Sequence, residues 1–368
     1  MEVVKRNSRS MNSRYKRRIN RWFLLLISLL IITTIVIIRV PRYIEDSNLL
    51  KLGYDKIALQ HIRKRKLTKT ILKNQYYSEY LNEQIKTDSF KQEYLTFYLI
   101  KNPITEDDFL LYDRLVAKGY TEETVLKLFE QLYFYEMTPL LVFDHVEDIT
   151  IYINDVLANR DKNTEHFFTL TNNYITYYEN TEPSPNQDSH AMIVNKHYYL
   201  DASFIPKIVP MNVRYASKNV EVEHETANAF MQMHKAMTDV GLNAYIGSGY
   251  RDYQYQDDLY KKYVSEQGQE KADSIAARPG HSEHQTGLSI DLNSATTRYN
   301  KFGETDEYFW LVDNAHNFGF IIRYPYGKDS ITGYSFEAWH WRYVGVELAT
   351  KVKESNLTYD EYYELYLK

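Results

Sequence analysis

The chain has 368 residues, no cysteine and a formal net charge of −5. Without cysteine, disulfide bonds cannot stabilise the fold, and any metal site has to be built from histidines and carboxylates. Residues 1–21 hold eight Lys and Arg against one acid, a net charge of +7 that leaves −12 on the rest. That acidic balance argues against nucleic-acid binding, and the length favours more than one domain.

An uncharged run of seventeen residues, from Trp22 to Ile38, follows the basic segment. A helix of that length spans roughly 25 Å, the short end of what crosses a bilayer. The basic flank predicts a cytoplasmic N-terminus, and because no small-x-small cleavage motif follows, we predict an uncleaved signal anchor over residues 22–40. Residues 1–21 are then a cytoplasmic basic tail. A buried core helix is the alternative, which the all-round apolar character of the run disfavours.

Residues 43–165 have the pattern of a helical region, which we expect outside the cell as an α-helical spacer. In "GYTEETVLKLFEQL", Thr121 is a candidate N-cap, and Val125, Leu128 and Phe129 recur on one helical face. Nothing in this region has the spacing of a catalytic motif.

The pattern changes after a turn-rich linker at residues 179–190. A helix is predicted from about Glu223 to Val240, followed by short strands and loops. His234 lies on the apolar face of that helix and is predicted to be a hydrogen-bonded core residue. The pattern of residues 190–368 therefore predicts an α+β domain with flanking helices and a small, largely antiparallel sheet.

One strand of this domain, "GLSIDLN", places a carboxylate among apolar neighbours. Alternation along the strand puts Asp291 on the polar face, opposite Ile290 and Leu292. A carboxylate held inside a strand is costly unless it is paired, hydrogen-bonded or bound to a metal. His284 lies just upstream, in a turn-forming stretch that can curl back over the same face.

A second segment, "FEAWHWRYVG", offers a further imidazole. Alternation predicts that Trp339 and Trp341 take one side of a strand and His340 the other, with Glu337 three residues before it. Two imidazoles and one carboxylate suit catalytic zinc with a position left for water, and Glu337 is placed to accept a proton. The spacing alone does not distinguish a zinc site from a structural His/Asp pair or from hydrogen-bonded polar residues in the core.

Four motifs occur in the order "SGYRDYQYQ", "RPGHSEHQTGLSIDL", "FGFIIRYPYGK" and "EAWHWRYVG". Together they resemble the zinc D-alanyl-D-alanine carboxypeptidases of the VanY type, in the lysostaphin, D-Ala-D-Ala peptidase and hedgehog fold group. The resemblance covers Met192 to the C-terminus and leaves out the helical region. It implies one Zn²⁺ held by His284, Asp291 and His340, with Glu337 as general base.

The resemblance also implies roles for residues around the metal. Arg251 would face the scissile carbonyl or the terminal carboxylate of the substrate, since a guanidinium suits either. Ser282 and Gln256 would contact the substrate; a turn-capping serine and a helix-surface glutamine are the competing interpretations. His281 is expected at the rim and not as a ligand, and Glu283 is expected to be structural.

Two positions depart from the family pattern. Ala338 stands where proline is common, and Trp341 stands where tyrosine is common. Neither touches the presumed ligands, so activity is not put in doubt, although both could change the shape of the pocket.

The expected function is that of a membrane-anchored extracellular zinc D,D-carboxypeptidase that removes the terminal D-Ala from peptidoglycan stem pentapeptides. Its expected partners are stem peptides and, through the anchor, the lipid bilayer, with no nucleic acid. An L,D-carboxypeptidase acting on tetrapeptide stems and a cross-link endopeptidase are alternatives within the enzyme class. The alternative from another class is a wall- or partner-binding membrane protein with a vestigial peptidase domain, which the intact presumed ligands and Glu337 disfavour.

Overall fold

A computed structural model describes residues 21–160, 170–294, 297 and 299–368, without the side chains of 299 and 300. The predicted cytoplasmic tail therefore lies outside the described residues except for Arg21, as do residues 161–165 of the predicted helical region. The chain divides into two compact units, Met1–Thr105 and Glu106–Lys368. Each unit is described by itself.

The first unit begins with one long apolar helix, α1, over Arg21–Leu52. Its large apolar side chains between Trp22 and Ile38 are exposed, and by length and composition it is a candidate membrane span or signal sequence. Gly53 ends the helix with φ 117°, a conformation that glycine adopts without steric cost. The remaining helices of this unit are α2 Lys56–Lys64, α3 Thr68–Asn74, α4 Glu79–Gln84 and α5 Phe97–Ile100, with a 3₁₀ turn at Gln92–Tyr94.

The second unit opens with further helices: α6 Glu106–Ala117, α7 Glu122–Gln131, α8 Phe134–Met137, α9 Pro139–Val142 and α10 Ile149–Asn159. Thr121 caps α7 by accepting a hydrogen bond from the Thr124 amide, which confirms the predicted cap. Val125, Leu128 and Phe129 are buried, as their spacing predicts.

A four-stranded antiparallel sheet forms the centre of the rest of the unit, with its strands in the spatial order Ala244–Ser248, Ser289–Ser294, His340–Tyr343 and Phe320–Ile322. This confirms the predicted α+β class with a small, largely antiparallel sheet. The strands are β1 Glu182–Pro183, β2 Tyr198–Tyr199, β3 Ile208–Pro210, β4 Glu221–Glu223, β5 Ala244–Ser248, β6 Ser289–Ser294, β7 Phe320–Ile322 and β8 His340–Tyr343. The helices among and after them are α11 His224–Asp239, α12 Tyr253–Gln267, α13 Gln269–Ile275, α14 Asp306–Asn314, α15 Asp329–Thr332, α16 Val346–Ser355 and α17 Tyr359–Tyr362.

One apolar core contains residues of α11 and of the four-stranded sheet. Ile290, Leu292 and Trp341 contribute to it from β6 and β8, which leaves the opposite side of these strands for polar groups. His234 on α11 is buried, and its Nε2 lies 3.2 Å from Asn243 Oδ1, which confirms the predicted hydrogen-bonded core histidine. The helix begins at His224, with Glu223 as its N-cap.

The predicted linker at 179–190 contains structure of its own. Strand β1 pairs in parallel with β2, and the buried Ser184 hydroxyl donates to the Ile193 carbonyl oxygen. Within the second unit, the C-terminal helix α17 packs against α9. Because the compact unit starts at Glu106, it joins α6–α10 to the strands, whereas the pattern of the sequence assigned residues 43–165 to a spacer; those domain boundaries stay a prediction.

Candidate metal centre

Two neighbouring strands and one turn bring His284, Asp291 and His340 together. Asp291 on β6 lies directly opposite His340 on β8 in the strand register. His284 belongs to the 3₁₀ turn Glu283–Thr286 just before β6, and Gly287 ends that turn with φ 69°. One ligand atom from each of the three side chains lies within 4.8 Å of the others, so the group could hold a metal ion.

The hydrogen bonds around both histidines leave one ring nitrogen of each directed at Asp291. His284 Nδ1 lies 2.6 Å from the Gly249 carbonyl oxygen, which only accepts, so this nitrogen carries the proton. His284 Nε2 then faces Asp291 Oδ2 at 3.3 Å. His340 lies 3.3 Å from Glu283 Oε2 through Nε2 and 3.0 Å from Asp291 Oδ1 through Nδ1. This is the arrangement in which each imidazole donates outward and keeps the inner nitrogen for a metal.

Burial and charge shift the pKa values of these groups in opposite directions. Burial raises the pKa of a carboxyl, but the two imidazoles outweigh it and hold the pKa of Asp291 far below its usual range. Burial lowers the pKa of His284, and the positive charge of Arg251 lowers it further. For His340, hydrogen bonds to Asp291 and Glu283 outweigh burial and raise the pKa to about 9. The ionised Asp291 carboxylate therefore lies beside two imidazoles, and a bound cation would replace the proton on the inner nitrogen of His340.

Glu337 lies beside this group without belonging to it. Its Oε2 is 3.9 Å from His340 Nδ1, and its backbone is fixed by a hydrogen bond from its amide to the Tyr324 carbonyl oxygen. Burial raises the pKa of Glu337 to about 7, only partly opposed by His340. A carboxyl with a pKa near neutrality can both take up and release a proton at physiological pH, which is what general acid–base catalysis needs.

The three side chains and Glu337 line one cavity of about 210 Å³. Arg251 lines it too, and within the described part of the chain its buried Nε has no hydrogen-bond partner. A buried donor without a partner is rare in folded proteins, so a ligand oxygen is the natural acceptor. The cavity is lined by Arg251, Gln256, Leu259, Tyr263, Ile275, Ala276, Ala277, Ser282, Glu283, His284, Asp291, Tyr324, Tyr334, Glu337, Trp339 and His340.

Gln256 and Ser282 both lie in the cavity wall. Gln256 is only 2% exposed, so the interpretation as a helix-surface residue is wrong. Its Nε2 donates to the Ala277 carbonyl oxygen at 2.7 Å, while Oε1 is buried and lacks a partner among the described residues. Ser282 is buried and precedes the 3₁₀ turn, but its side chain makes no capping hydrogen bond to the described part of that turn. The interpretation as a turn cap therefore does not fit Ser282.

Two neighbours of the predicted ligands take other positions. His281 is outside the metal-binding group: its Nδ1 lies 2.8 Å from the Asn195 carbonyl oxygen, and its ring contacts Tyr178 edge-on. Trp341 lies in the apolar core and Trp339 packs against the same core, as the predicted alternation requires. Trp339 precedes β8, which begins at His340, and it also lines the cavity.

Sequence reasoning missed the charged layer beneath His340. Glu283 accepts hydrogen bonds on Oε1 from Arg323 Nε and from an Arg342 nitrogen, each at 2.8 Å. Burial opposes its ionisation, but the two guanidinium groups keep the pKa of Glu283 far below its usual range. Alternation from His340 places Arg342 on the same strand face, a signal that could have found it. Arg323 follows a strand end and gave no comparable signal.

The donor set fits zinc in number and kind. Structural and catalytic Zn²⁺ accepts imidazole nitrogen and carboxylate oxygen, and catalytic sites use three protein ligands. Each imidazole here has its second nitrogen held by a carbonyl or a carboxylate, which zinc sites need for orientation. An antiparallel sheet with three such ligands, a nearby carboxyl of raised pKa and an arginine whose buried Nε lacks a partner among the described residues defines a metal-dependent hydrolase site.

Comparison with known proteins narrows this class. Residues 219–346 match the VanY family model, described as D-alanyl-D-alanine carboxypeptidase. The YodJ protein of Bacillus subtilis (strain 168) is 35% identical over 221 residues, which cover 57% of this chain and 80% of the relative. A D-alanyl-D-alanine carboxypeptidase of Enterococcus faecalis is 34% identical over 167 residues, covering 43% and 61%. The chain belongs to the VanY D-alanyl-D-alanine carboxypeptidase family, whose members are zinc metallopeptidases.

Two solved structures are also similar. The LdcB LD-carboxypeptidase is 33% identical with a TM-score of 0.47, covering 56% of this chain and 94% of that one. The vancomycin-resistance D,D-pentapeptidase VanY, in complex with Zn(II), is 31% identical with a TM-score of 0.42, covering 47% and 98%.

Proposed function

We propose that this protein is a membrane-anchored zinc D,D-carboxypeptidase that removes the terminal D-Ala from peptidoglycan stem pentapeptides. The observation that carries the proposal is the shared cavity of a His₂Asp group, a glutamate of raised pKa and an arginine with a buried unpaired donor. Family membership supports the reaction class. The choice of a D,D over an L,D bond follows the resemblance to the VanY-type D-alanyl-D-alanine carboxypeptidases, and the muropeptide experiment below tests it.

His284, Asp291 and His340 would hold the Zn²⁺, through the ring nitrogens and the carboxylate that face one another. When bound, zinc supplies a Lewis acid that polarises a carbonyl group and acidifies water. Glu337 would be the general base and would not be a ligand, because it lies outside the His₂Asp group but within reach of it.

Other side chains in the cavity would transfer the proton and bind the substrate. Glu337 would take a proton from the attacking water at a carboxylate oxygen and return it to the leaving amine, which suits a pKa of about 7. Arg251 would place its free guanidinium donor on the scissile carbonyl oxygen or on the terminal carboxylate of the peptide. Ser282 and Gln256 would contact the substrate, since both line the cavity and Gln256 Oε1 has no hydrogen-bond partner among the described residues.

The anchor and orientation are part of the same proposal. Helix α1 would cross the membrane with residues 1–21 in the cytoplasm, since the basic residues precede the apolar run. The peptidase part would then lie outside the cell, on the side where stem peptides of the wall are found.

The decisive experiment supplies the zinc-loaded chain, purified in detergent, with pentapeptide and tetrapeptide muropeptides and identifies the products by mass spectrometry. Loss of one alanine from the pentapeptide alone supports the proposal. Loss from the tetrapeptide alone makes the protein an L,D-carboxypeptidase.

Zinc content measured on the same preparation distinguishes a vestigial peptidase domain from a cross-link endopeptidase. A chain that binds no zinc and cleaves neither peptide has a vestigial peptidase domain. Zinc binding without cleavage of either peptide points to cross-linked substrates, and cross-linked dimeric muropeptides are the sample to test next.

A further inference from the structure

The side chains beneath His340 form a continuous chain of buried charged groups. His340 Nε2 contacts Glu283, Glu283 accepts from Arg323 Nε, and Arg323 in turn donates to Asp360. Arg323 is 0% exposed, while Glu283 and Asp360 are each 2% exposed. Because buried charges are tolerated only when they are paired, these contacts are held in one arrangement.

Asp360 binds the two terminal nitrogens of Arg323, so that only Nε of the guanidinium group remains to donate to Glu283. It lies on α17 and accepts from both terminal nitrogens of Arg323, NH1 at 2.5 Å and NH2 at 3.0 Å. This bidentate contact leaves Nε to donate to Glu283 Oε1 at 2.8 Å. Asn195 donates to Asp360 Oδ1 at 2.8 Å and fixes the carboxylate from the other side.

The helices at the start of the second unit hold α17 in turn. The Thr138 hydroxyl, at the start of α9, donates to Glu361 Oε1 at 2.7 Å, and both residues are 0% exposed. Glu361 also completes a capping box with Thr358 at the start of α17. Farther along the C-terminal segment, Arg114 Nε on α6 donates to the Leu365 carbonyl oxygen at 3.0 Å.

We propose that Asp360 is a positioning residue for the metal site: through Arg323 and Glu283 it fixes the ring of His340, and helix α9 supports it by holding α17. This inference rests on the proposed function and assigns part of the helical region a role beyond that of a spacer. Without Asp360, the guanidinium group of Arg323 can rotate and turn its terminal nitrogens toward Glu283. Glu283 then keeps only Arg342 and Ser289 as fixed donors, and the contact that orients the His340 ring is weakened.

The test measures metal binding and activity in the same variants of the full chain. Asp360→Asn should weaken Zn²⁺ affinity, measured by chelator competition, by about tenfold, the size expected when a partner of a ligand is removed. The visible absorption bands of the Co²⁺-substituted protein should change, since they report ligand geometry. With pentapeptide as substrate, kcat should fall while KM stays within about twofold.

Two variants separate positioning from general stabilisation. Asp360→Glu keeps the charge and should recover most of the Zn²⁺ affinity. Asp155→Asn removes another buried carboxylate, which accepts hydrogen bonds from Thr171 and Tyr174 in the segment after α10, and should leave the Co²⁺ spectrum unchanged. If Asp360→Asn does not fold, the isosteric Thr138→Val carries the test and should weaken Zn²⁺ binding in the same direction by about threefold.

Wild-type Zn²⁺ affinity together with an unchanged Co²⁺ spectrum in the folded Asp360→Asn variant, or in Thr138→Val where that variant replaces it, would overturn the inference. An equal change of the Zn²⁺ affinity and of the Co²⁺ spectrum in Asp155→Asn would also overturn the inference. Failure of the wild-type chain to cleave stem peptides would instead contradict the proposed function, because metal affinity and the Co²⁺ spectrum are read without any substrate.

Discussion

Single residues in this site are distinguished by small differences of position. His281 and His284 are three residues apart in one segment, yet only His284 belongs to the metal-binding group. His281 instead contacts the Asn195 carbonyl oxygen and the ring of Tyr178. The structure therefore provides a matched pair of histidines for testing the assignment of ligands.

We expect His284→Ala to lose bound zinc and His281→Ala to retain it. Removing one of three ligands takes away a large part of the binding free energy, whereas His281 contributes no ligand atom to the group. Metal content of the two purified variants, determined by atomic emission, decides the matter. Zinc retained at full occupancy in His284→Ala would show that the ligand assignment is wrong.

Glu337→Gln should lower kcat by about 10²–10⁴ while zinc stays bound, because the amide cannot accept a proton and Glu337 is not part of the ligand group. Steady-state kinetics with pentapeptide, alongside metal analysis, measures both effects. Glu307→Gln is the control: Glu307 is also buried, but it accepts from the Asn243 amide, outside the cavity. A Glu337→Gln enzyme as fast as wild type would exclude Glu337 as the base.

Among the elements, strand β8 joins the apolar core to the polar site. His340 faces Asp291 across the sheet, and the next residue, Trp341, is buried in the core with its Nε1 donating to the Ala338 carbonyl oxygen at 3.0 Å. The packing of Trp341 in the core thus fixes β8 and orients the neighbouring His340 toward the site. The family's common tyrosine at Trp341 would fill less of this core.

Trp341→Ala should lower the free energy of unfolding by about 3–5 kcal/mol, since it removes a fully buried side chain and leaves a cavity. Trp310→Ala is the matched comparison and should cost less, because Trp310 is only half-buried and water already reaches it. Urea unfolding followed by circular dichroism measures both. Equal losses in the two variants would contradict the packing argument.

For the molecule as a whole, the proposed orientation in the membrane can be tested because the chain has no cysteine. A single cysteine at Ser265, an exposed position on α12, should react with a membrane-impermeant maleimide on intact cells. A cysteine at Ser10 should react only after the cells are permeabilised. The opposite pattern of labelling would show that the topology is reversed. Labelling of both cysteines on intact cells would exclude an anchored protein with a cytoplasmic tail.

The sequence by itself determined the class of the fold and the candidate ligands. Period-two alternation identified the strands with Asp291 and His340, and the motifs around them carried the family resemblance. Such local signals suffice for Asp291 and His340 because both lie on the polar face of a buried strand, and that face follows from the spacing of apolar residues. His284 lies in a turn, and only the motif resemblance assigned it as a ligand.

Only the tertiary structure decided how the site is supported. Glu283, Arg323 and Asp360 come from three separate segments, and a buried ion pair between distant residues leaves no periodic mark in the sequence. The same holds for Thr138 and Glu361, which join α9 to α17 across more than two hundred residues.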